Sequence, residues 1–427
     1  MPSTQPKIII PELPEWVKLE HQVAQILTLQ EEHGWYFDEP AARELECTLR
    51  KELSDTVELL SQRFPYVPGP VFTPKRNNKT QGYFQGCPFT RLKTFNPGSR
   101  DHIAWILKTF DGYKDETTTT SGKTKIDETT LKNHGTGLSL QFLRILEITK
   151  SLGMISEGAN AWLKLCTSAS RIHHHCSVGC ATFRMAHNKP NLAQVPSGPE
   201  FRRLFTATPG QVMVGADLSG IELRMLAHYL ARYDGGRYAD ILLNGDIHQV
   251  NADKIGITRK LVKNVTYAFL YGAGDVKIGL TYDKQLPPNK AKKKGAEIRA
   301  AYVAAIPGLD DLLAAIKVAG DRGYVKAIDG RKVLLDSPHK ALNFLLQGSA
   351  GVIAKRWLVI ANHHTHDICC SQLAFIHDEL QYECHGLHAD RLAASLVHSA
   401  REAGEYYKLR CPIDAESKIG DNWAEVH

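Results

Sequence analysis

The sequence predicts an α+β fold because helical and strand-like hydrophobic patterns both occur along its 427 residues. Long stretches place apolar residues at helical spacing, which predicts amphipathic helices. Three shorter segments indicate strands: an apolar run at 211–216, two runs joined at an acidic tip within 373–384, and the runs on either side of Asp329-Gly330. The last two are hairpin signals, so we expect antiparallel sheet among the helices.

Composition is that of an ordinary folded protein and excludes few functions. Hydrophobic residues make up 43% and charged residues 23%, which argues against disorder, and the formal charge of +6 permits a polyanionic partner without requiring one. The nine cysteines form no CxxC pair, as expected for a reduced, intracellular protein. The N-terminus has no signal-peptide pattern and no stretch reaches the ~18 apolar residues of a membrane span, so we expect a cytoplasmic protein without a membrane partner.

The N-terminal region predicts helices interrupted by proline-rich segments. Residues 1–14 carry four prolines and indicate an extended arm, and two helices are expected over 15–63 with a break near Gly34. Residues 65–93 contain five prolines, which predicts a loop or a loosely folded insert. The basic residues of this insert are interleaved with aromatics and indicate either solvated surface or a contact with backbone phosphates.

Residues 96–165 continue the helical pattern. The NPGS segment at 96–99 predicts a cap for a helix beginning near Arg100. A polar connector at 114–125 and a further helical region at 138–165 are expected to follow.

Residues 171–180, RIHHHCSVGC, allow two interpretations. Clustered histidines and cysteines could ligate zinc. Consecutive strand residues point to opposite faces, however, and no second ligand pair follows at finger-like spacing, so the pattern favours a β-ribbon with accessible histidines. The candidate ligands in this segment are His173, His174, His175, Cys176 and Cys180.

The segment 211–234, QVMVGADLSGIELRMLAHYLARYD, predicts a buried strand followed by an amphipathic helix. The strand ends at Asp217, and a carboxylate where a strand gives way to a helix is commonly a ligand-binding group, although it can equally be a simple strand terminator. Ser219 and Glu222 have the spacing of a capping box, in which Glu222 would cap the helix. The expected apolar face of the helix comprises Ile221, Met225, Leu226, Tyr229, Leu230 and Tyr233.

A basic and aromatic helix is predicted over 258–272, after a helical segment that starts near His248. Thr258 is a suitable N-cap and Gly272 a suitable stop. Four residues at intervals of four form one stripe, with its cations at the end where the helix dipole favours an anion and its aromatics placed to contact a base or sugar. The alternative is an exposed basic turn on a core helix. The stripe comprises Arg259, Lys263, Tyr267 and Tyr271.

Two further segments carry exposed charge or hydrogen-bond donors. The KAKKK run at 290–294 predicts a solvated helix face. A helix over 339–357 places Asn343 and Gln347 on one side, and Arg184 stands between apolar neighbours upstream. Such donors are either polar surface or probes of the acceptors that every base pair offers in the minor groove.

The acidic tip within 373–384 indicates a metal site only when it is considered together with Asp217, at the end of the earlier strand. Acidic residues are favoured in turns, so Asp378 alone is a weak signal. Together with Asp217 it can hold two divalent cations, and hard oxygen ligands suit Mg²⁺. Two such ions ~3.5–4 Å apart promote in-line displacement at phosphorus. Arg259 and Lys263 would then hold a triphosphate.

Three segments resemble motifs A, B and C of family A (Pol I type) DNA polymerases: DLSGIELRMLAHY, RKLVKNVTYAFLYGAG and FIHDELQYE. The spacing R-x3-K-x3-Y-x3-YG together with the HDE tip makes the resemblance specific. It is closest to the replicative polymerases of short-tailed phages. It covers about residues 15–427 and extends through PNLAQVP, LNGDIH and the C-terminal Trp423 and His427.

The resemblance implies a right-hand fold with thumb, palm and fingers. It implies template-directed addition of dNTPs to a primer 3′-OH with two Mg²⁺ ions per active site, for which Mn²⁺ can substitute, in phage genome replication in the host cytoplasm. The implied domains are an N-terminal arm and palm-edge segment (1–40), a thumb with a loop insert (41–165, insert 65–93), a palm segment (166–235), fingers (236–322) and a second palm segment (323–427).

The resemblance also implies roles for individual residues. Metal ligands would be Asp217, Asp378 and the Leu218 carbonyl, with Lys263 also catalytic. Glu222 would block a ribose 2′-OH, its carboxylate held by Tyr271. The residues implied to contact the incoming nucleotide are Leu218, Glu222, His248, Arg259, Lys263, Tyr267 and Tyr271. Those implied to touch the primer–template DNA are Arg184, Asn343, Gln347 and His377.

Some features depart from the family pattern. Phe183 stands at the glycine of the family's T-G-R, and Ala268 replaces the glycine usual after the motif B aromatic. No room for a 3′–5′ exonuclease domain precedes residue 15, so we expect no proofreading on this chain. The insert at 65–93 is shorter than the loop with which phage relatives recruit a thioredoxin clamp, which argues against that partner. Replisome proteins, such as a helicase-primase and a separate exonuclease, are the other implied partners.

Two alternative functions share many of these features. A non-catalytic, hand-shaped DNA-binding accessory subunit would not need the intact Asp217, Lys263 and Asp378. A single-subunit RNA polymerase or reverse transcriptase would share the palm, but Glu222 argues against the use of ribonucleotides.

Overall fold

The computed structural model describes residues 12–114, 118–119, 121–284 and 286–427. Most of the predicted arm at 1–14 and part of the connector at 114–125 therefore lie outside the described residues. The chain forms two compact units, one made of Met1–Asp38 and Leu165–His427 and the other of Glu39–Lys164. The finer division into palm and fingers stays a prediction.

Helices form most of the regular structure. Short 3₁₀ or π turns connect several of them, as at Pro338–Lys340 and Gly153–Glu157. The helices are α1 (Glu15–His33), α2 (Glu39–Arg63), α3 (Arg100–Phe110), α4 (Glu128–His134), α5 (Gly137–Leu152), α6 (Trp162–Leu165), α7 (Pro199–Arg202), α8 (Ile221–Asp234), α9 (Arg237–Asn244), α10 (Ile247–Ile255), α11 (Arg259–Leu270), α12 (Asp275–Tyr282), α13 (Pro288–Ala305), α14 (Leu309–Gly320), α15 (Ala341–His364) and α16 (Ala389–Tyr406).

The strands form small sheets in which every pair described is antiparallel. The strands are β1 (Trp35–Phe37), β2 (Tyr66–Phe72), β3 (Phe89–Thr94), β4 (Arg171–Ile172), β5 (His175–Ser177), β6 (Ala186–Asn188), β7 (Phe205–Thr206), β8 (Val212–Leu218), β9 (Tyr324–Lys326), β10 (Lys332–Leu334), β11 (Cys370–Ile376), β12 (Glu379–Cys384) and β13 (Ala415–Gly420).

The sheet that positions the site has the order β11-β12-β8-β13. The β11–β12 hairpin folds back at His377-Asp378, and β12 then runs antiparallel to β8 with Glu379 opposite Asp217. Gly215 in β8 allows the close approach of its neighbours, because a Cβ there would lie 2.6 Å from the Val426 carbonyl oxygen. The sheet therefore brings residues that are far apart in sequence to one edge.

Helix α15 is the main core helix of the unit that contains Leu165–His427. The segment Pro338–His364 is long and apolar enough, by length and composition alone, to cross a membrane, so the expectation that no stretch would pass that test was wrong. Its most apolar part is 78% buried in the protein, as in the core helix of a folded domain. The helix also carries the buried Lys355, whose Nζ lies 2.7 Å from a Glu20 carboxylate oxygen on α1.

Most predicted elements are confirmed, with small differences at their ends. The helices over 15–63 and their break, the helix near Arg100, the hairpin at Asp329-Gly330 and the solvated face at 290–294 are all present. Ser99 caps α3 by accepting a hydrogen bond from the His102 N–H.

The expectation for 65–93 was wrong at both ends of that segment. Strands β2 and β3 pair there as an antiparallel ribbon. The pairing shifts register between Pro68 and Val71, which indicates a β-bulge. Residues in the bulge do not need to donate a hydrogen bond to the partner strand, so prolines, which have no N–H group, are tolerated there. The ribbon belongs to the Glu39–Lys164 unit, whose core includes Phe64, Val67 and Phe142.

Candidate active site

Asp217 and Asp378 meet at the edge of the four-stranded sheet. Asp217 lies at the end of β8, one residue before its last, and Asp378 lies in the turn between β11 and β12. The Leu218 N–H donates to the Asp378 carbonyl oxygen at 3.0 Å, so the two backbones are joined at this point. The structure thus brings together the two acids that the sequence pattern paired across 160 intervening residues.

Within the described residues, neither Asp217 nor Asp378 has a cationic side chain in ion-pair contact. Among the described residues, no ion pair and no hydrogen bond from another residue reaches either carboxylate. Although Asp217 is exposed at the sheet edge, the protein atoms packed around its carboxylate partly desolvate it and raise its pKa to about 7, and the charge of Asp378 adds to that effect. Burial likewise raises the pKa of Asp378 to about 6, with Glu222 adding to it and Arg184 opposing it. Two repelling carboxylates, one exposed (Asp217) and one half-buried (Asp378), form a site that a divalent cation would stabilise.

The turn that carries Asp378 has an unusual backbone. His377 has a φ of +59°, in the left-handed region that side chains seldom adopt. Burial lowers the pKa of His377, and Arg184 lowers it further. The His377 ring is therefore neutral near pH 7 and stands next to the acidic pair.

Glu379 supports the turn from inside the protein, a role that the sequence pattern did not reveal. Its buried carboxylate accepts hydrogen bonds from Trp423 Nε1 at 2.6 Å and from Gln381 Nε2 at 2.6 Å. His427 Nδ1 lies 3.1 Å from the other carboxylate oxygen. Burial alone would raise the pKa of Glu379, but these hydrogen bonds and the His427 charge outweigh it, so the pKa is lowered.

Glu222 is not part of a capping box, which corrects the prediction for the start of α8. The helix begins at Ile221, and its N-cap is Gly220, with a φ of +58° and no side-chain cap. Ser219 instead donates its N–H to the Asp414 carbonyl oxygen. The Glu222 carboxylate accepts from Arg184 Nη2 at 2.6 Å and from the Tyr271 hydroxyl at 3.2 Å. The expected contact with Tyr271 is therefore present, and Arg184 makes a second.

The apolar face predicted for α8 is mostly confirmed. Ile221, Met225 and Leu230 are buried, whereas Tyr233 is 40% exposed and was wrongly included. Near the helix end, the Cβ and backbone of Tyr233 lie against Gly308, whose φ is +77°.

Phe183 adopts the conformation that a glycine would take. Its φ is +61°, so the backbone before Arg184 has a left-handed turn despite the bulky side chain. The Arg331 guanidinium lies 4.7 Å from the centroid of the Phe183 ring. A Cβ on Gly351 of α15 would lie 3.0 Å from the Thr182 carbonyl oxygen, so the loop packs directly on that helix. These contacts place Arg184 against Glu222.

Helix α11 carries the predicted basic and aromatic stripe on an accessible face. Thr258 caps it through the Leu261 N–H, and Gly272 follows its end with a φ of +72°. The Tyr267 and Tyr271 rings are stacked with centroids 6.4 Å apart. Burial, then Glu222 and Asp378, raise the pKa of Tyr267, so its hydroxyl lies in the field of the acidic site.

The cationic end of α11 lies beside the start of α10. Arg259 Nε lies 2.6 Å from an Asp246 carboxylate oxygen, and this contact lowers the pKa of Asp246. Lys263 is exposed and has no carboxylate partner within the described ranges. His248 is buried with an unpartnered Nδ1, and its ring centroid is 6.2 Å from that of Tyr267. Burial lowers the pKa of His248, and the charges of Arg259 and Lys263 lower it further, so these two cations lie near His248 and thus near Tyr267.

Asn343 and Gln347 lie half-buried on α15, as their spacing predicted. Asn343 Nδ2 donates to the Leu270 carbonyl oxygen at 3.2 Å, at the end of α11. Asn343 therefore also joins two helices, a contact that local sequence patterns could not show.

The histidine-rich segment is a β-ribbon, but not one with only accessible histidines. Strands β5 and β6 pair, and the side chains alternate as expected, so His173 and His175 are partly exposed. His174 is fully buried, which corrects the prediction. Its neighbours are Cys176 and His187, and His187 was not considered as a ligand because it lies on the second strand.

Comparisons with known proteins agree with this geometry. The family model described as "DNA polymerase family A" matches residues 84–425. The chain is 32% identical to the DNA-directed DNA polymerase of Enterobacteria phage T3 and 31% identical to that of Escherichia phage T7, in each case over 97% of this chain and 70% of the relative.

A solved structure shares the fold. It is the polymerase domain of Pol1 from M. smegmatis in complex with DNA primer-template and dNTP, with a TM-score of 0.76, 22% identity, and coverage of 95% of this chain and 70% of that one. This similarity confirms the predicted α+β right-hand fold. The chain belongs to DNA polymerase family A.

Proposed function

We propose that this protein is a DNA-directed DNA polymerase that adds dNTPs to a primer 3′-OH by a two-metal mechanism. The observation that carries the proposal is the convergence of Asp217 and Asp378, two carboxylates without a cationic partner in the described part of the chain, beside the basic and aromatic face of α11. The polymerase names of the T3 and T7 relatives support the same activity.

The donor set at the sheet edge fits divalent metal ions. Asp217, Asp378 and the Leu218 carbonyl offer hard oxygen atoms, which suit Mg²⁺ and also Mn²⁺. The raised pKa values of both aspartates reflect burial and negative surroundings, which bound cations would offset. When bound, two such ions would activate the attacking hydroxyl and neutralise the leaving pyrophosphate.

The surface of α10 and α11 would hold the incoming nucleotide. Arg259 and Lys263 would bind the triphosphate near the helix N-terminus, where free N–H groups also favour an anion. His248 would donate to the same phosphates, and Lys263 would stabilise the departing pyrophosphate. Tyr267 and Tyr271 would pack beside the sugar and the templating position.

Glu222 would exclude a ribonucleotide by occupying the space of a 2′-OH. Its carboxylate is held by Arg184 and Tyr271 and is therefore fixed rather than free to move away. Arg184, Asn343, Gln347 and His377 would face the primer–template DNA near its terminus, where minor-groove acceptors report pairing without reading sequence.

The relatives support a proposal for the ligands and the biological setting. The M. smegmatis domain was solved with DNA primer-template and dNTP, and we assign the same ligands to this chain. Phage replication in the cytoplasm of an infected host is the proposed context, with replisome proteins as partners.

Primer extension with Mg²⁺ tests the proposal. Asp217→Asn and Asp378→Asn should each reduce extension at least about 100-fold, because each removes several kcal/mol of metal-dependent stabilisation. The control is Asp311→Asn, the same change on the exposed first turn of α14, which should extend like the parent. Equal extension by parent and both site variants would contradict the metal assignment.

Two variations of the assay separate the alternatives. Preferential use of rNTPs would favour an RNA polymerase, and salt-sensitive DNA binding with no extension would favour an accessory subunit. A primer with a mismatched end tests the expectation that this chain does not edit, since excision of the mismatch would refute it.

A further inference from the structure

A second group of ligand-type side chains lies behind the acidic turn, on one face of the β5–β6 ribbon. Cys176 pairs directly with His187 across the two strands, and His174 precedes Cys176 by two residues, so all three point to the same side. Their exposed fractions are only 0% for His174, 8% for Cys176 and 8% for His187. Their ligand atoms all lie within 4.8 Å of one another.

The surrounding contacts orient these atoms toward one another. Cys176 Sγ lies 3.2 Å from His187 Nδ1. Gln30 Nε2 lies 3.1 Å from His174 Nε2 and 3.7 Å from Cys176 Sγ. Exchanging the oxygen and nitrogen positions of the Gln30 amide would break a hydrogen bond, because Gln30 Oε1 accepts from Gln372 Nε2 at 2.7 Å. The amide therefore points its N–H groups at His174 Nε2 and Cys176 Sγ, and a metal ion bound through either atom would take the place of that Gln30 contact.

A plain hydrogen-bonded core does not account for the whole cluster. His174 Nδ1 and His187 Nε2 are buried without any hydrogen-bond partner. Unsatisfied buried polar atoms are costly, and natural proteins retain few of them without a reason. Burial also keeps both imidazoles neutral, since it lowers the pKa of His174 to about 3 and that of His187 to about 4. Neutral imidazoles are the form that binds metal.

We propose that His174, Cys176 and His187 form a binding site for one Zn²⁺ ion. Two imidazole nitrogens and a thiolate are ligands that Zn²⁺ accepts, and three protein ligands leave a fourth position in its tetrahedral shell. On binding, the Cys176 thiol releases its proton to solvent and a zinc–sulfur bond forms, so the site carries one net positive charge. The Glu31 carboxylate, which lies 2.7 Å from His175 Nδ1 on the other face, provides negative charge nearby.

The ion would join α1, the β5–β6 ribbon and the catalytic turn. Gln30 belongs to α1, and the His187 ring packs edge-on against the His377 ring, with centroids 5.8 Å apart and planes at 84°. His377 directly precedes Asp378. The zinc site would thus support the acidic turn from behind, and it stands independently of the proposed polymerase activity.

Metal content of the purified, untagged protein tests the proposal. The protein is expressed in zinc-supplemented medium and dialysed against excess Mg²⁺, and zinc is then measured by mass spectrometry. To exclude other binding, the parent for this experiment carries Asp217→Asn, Asp378→Asn and His398→Gln, the last because His364, His398 and Glu402 form a surface cluster that could hold a metal. We expect about one zinc per chain in this parent, since buried ligands release an ion slowly.

Matched variants identify the ligands. Cys176→Ser and His187→Gln should lower the zinc content to near zero. His175→Gln and Cys180→Ser change neighbours in the same segment that do not share the buried face, and they should retain it. Zinc absent from the parent, or equally abundant in Cys176→Ser, would overturn the proposal.

A spectroscopic readout covers the case in which Cys176→Ser does not fold. The parent is refolded with Co²⁺ in place of zinc, and a thiolate ligand then produces a near-ultraviolet charge-transfer absorption. Appearance of that band, and its persistence in Cys180→Ser, would support Cys176 as the ligand. A cobalt-loaded parent without the band would refute the site.

Discussion

Two pairs of carboxylates in the same sheet have opposite electrostatic situations. Asp217 and Asp378 have raised pKa values, about 7 and about 6, and no cationic partner in the described structure. Glu379 and Glu383 lie one and five residues beyond Asp378 and are more deeply buried, yet hydrogen bonds outweigh burial and lower the pKa of each. Burial alone therefore does not distinguish the carboxylates of a metal-binding site from carboxylates that stabilise the fold.

The two pairs differ in the hydrogen-bond donors and positively charged groups that the protein places beside each carboxylate. The Glu383 side chain is fully buried, and it accepts from the Thr208 N–H at 2.8 Å and lies 2.7 Å from His33 Nε2. Its charge is neutralised within the fold. The negative charges of Asp217 and Asp378 are not neutralised by protein groups, so a cation from solution would stabilise them. Such uncompensated carboxylates are typical of a cation-binding site.

The largest expected effect separates activity from stability. Asp378→Asn should reduce primer extension at least about 100-fold while leaving the unfolding free energy in EDTA unchanged or higher, because the change removes a repelled charge. Urea denaturation measures the second quantity. A variant that loses activity and is also clearly less stable would mean that Asp378 acts as scaffold.

Glu383→Gln should show the reverse. Glutamine keeps one of the two acceptor oxygens and replaces the other with an NH₂ donor, so either His33 or the Thr208 N–H loses its acceptor and the paired negative charge is lost. We therefore expect the unfolding free energy to fall by about 2–4 kcal/mol. Extension by the variant that remains folded should stay within a few-fold of the parent. A stable variant with abolished extension would contradict the scaffold role.

The two pairs should also respond oppositely to pH. A raised carboxyl pKa means that ionisation costs stability: the cost is absent below the ordinary value of 3.8 and complete above about 7 for Asp217. In EDTA, the unfolding free energy of Asp217→Asn should therefore rise relative to that of the parent as the pH increases from about 4 to 7, and the difference should stay constant above that. The lowered pKa of Glu383 gives stability above its ordinary value of 4.5 that is lost in acid, so the deficit of Glu383→Gln should shrink below about pH 4.

The smallest expected effect concerns Glu222, which belongs to the site but, unlike the two aspartates, accepts hydrogen bonds from two protein side chains. Tyr271→Phe removes one hydrogen bond at 3.2 Å but leaves the Arg184 contact at 2.6 Å. We expect the unfolding free energy to fall by about 0.5 kcal/mol. A loss as large as that of Glu383→Gln would show that Tyr271, and not Arg184, is the main support of this carboxylate.

Local patterns were sufficient for the elements that carry the site. The strand before Asp217, the turn at Asp378 and the stripe on α11 each follow from a few neighbouring residues, and all three are present. The partners of the buried acids could not be found this way. His33 and Glu383 are 350 positions apart, so only the fold shows that they meet.

The other wrong or missing predictions each have a structural cause that neighbouring residues in the sequence do not show. Prolines in β2 obscured a ribbon that a bulge makes possible. The left-handed φ of Phe183 depends on packing against Gly351 and Arg331, which its own sequence neighbours do not indicate. His187 was overlooked as a ligand because the ribbon, and not the sequence spacing, brings it to Cys176.

Metal binding by Asp217 and Asp378 is tested best by a crystal of the protein with primer–template DNA, a dNTP and Mn²⁺, measured at the manganese absorption edge. We expect two anomalous peaks about 3.5–4 Å apart, bounded by the carboxylates of Asp217 and Asp378. Peaks only at other acidic or histidine clusters, with these two aspartates free of metal, would contradict it.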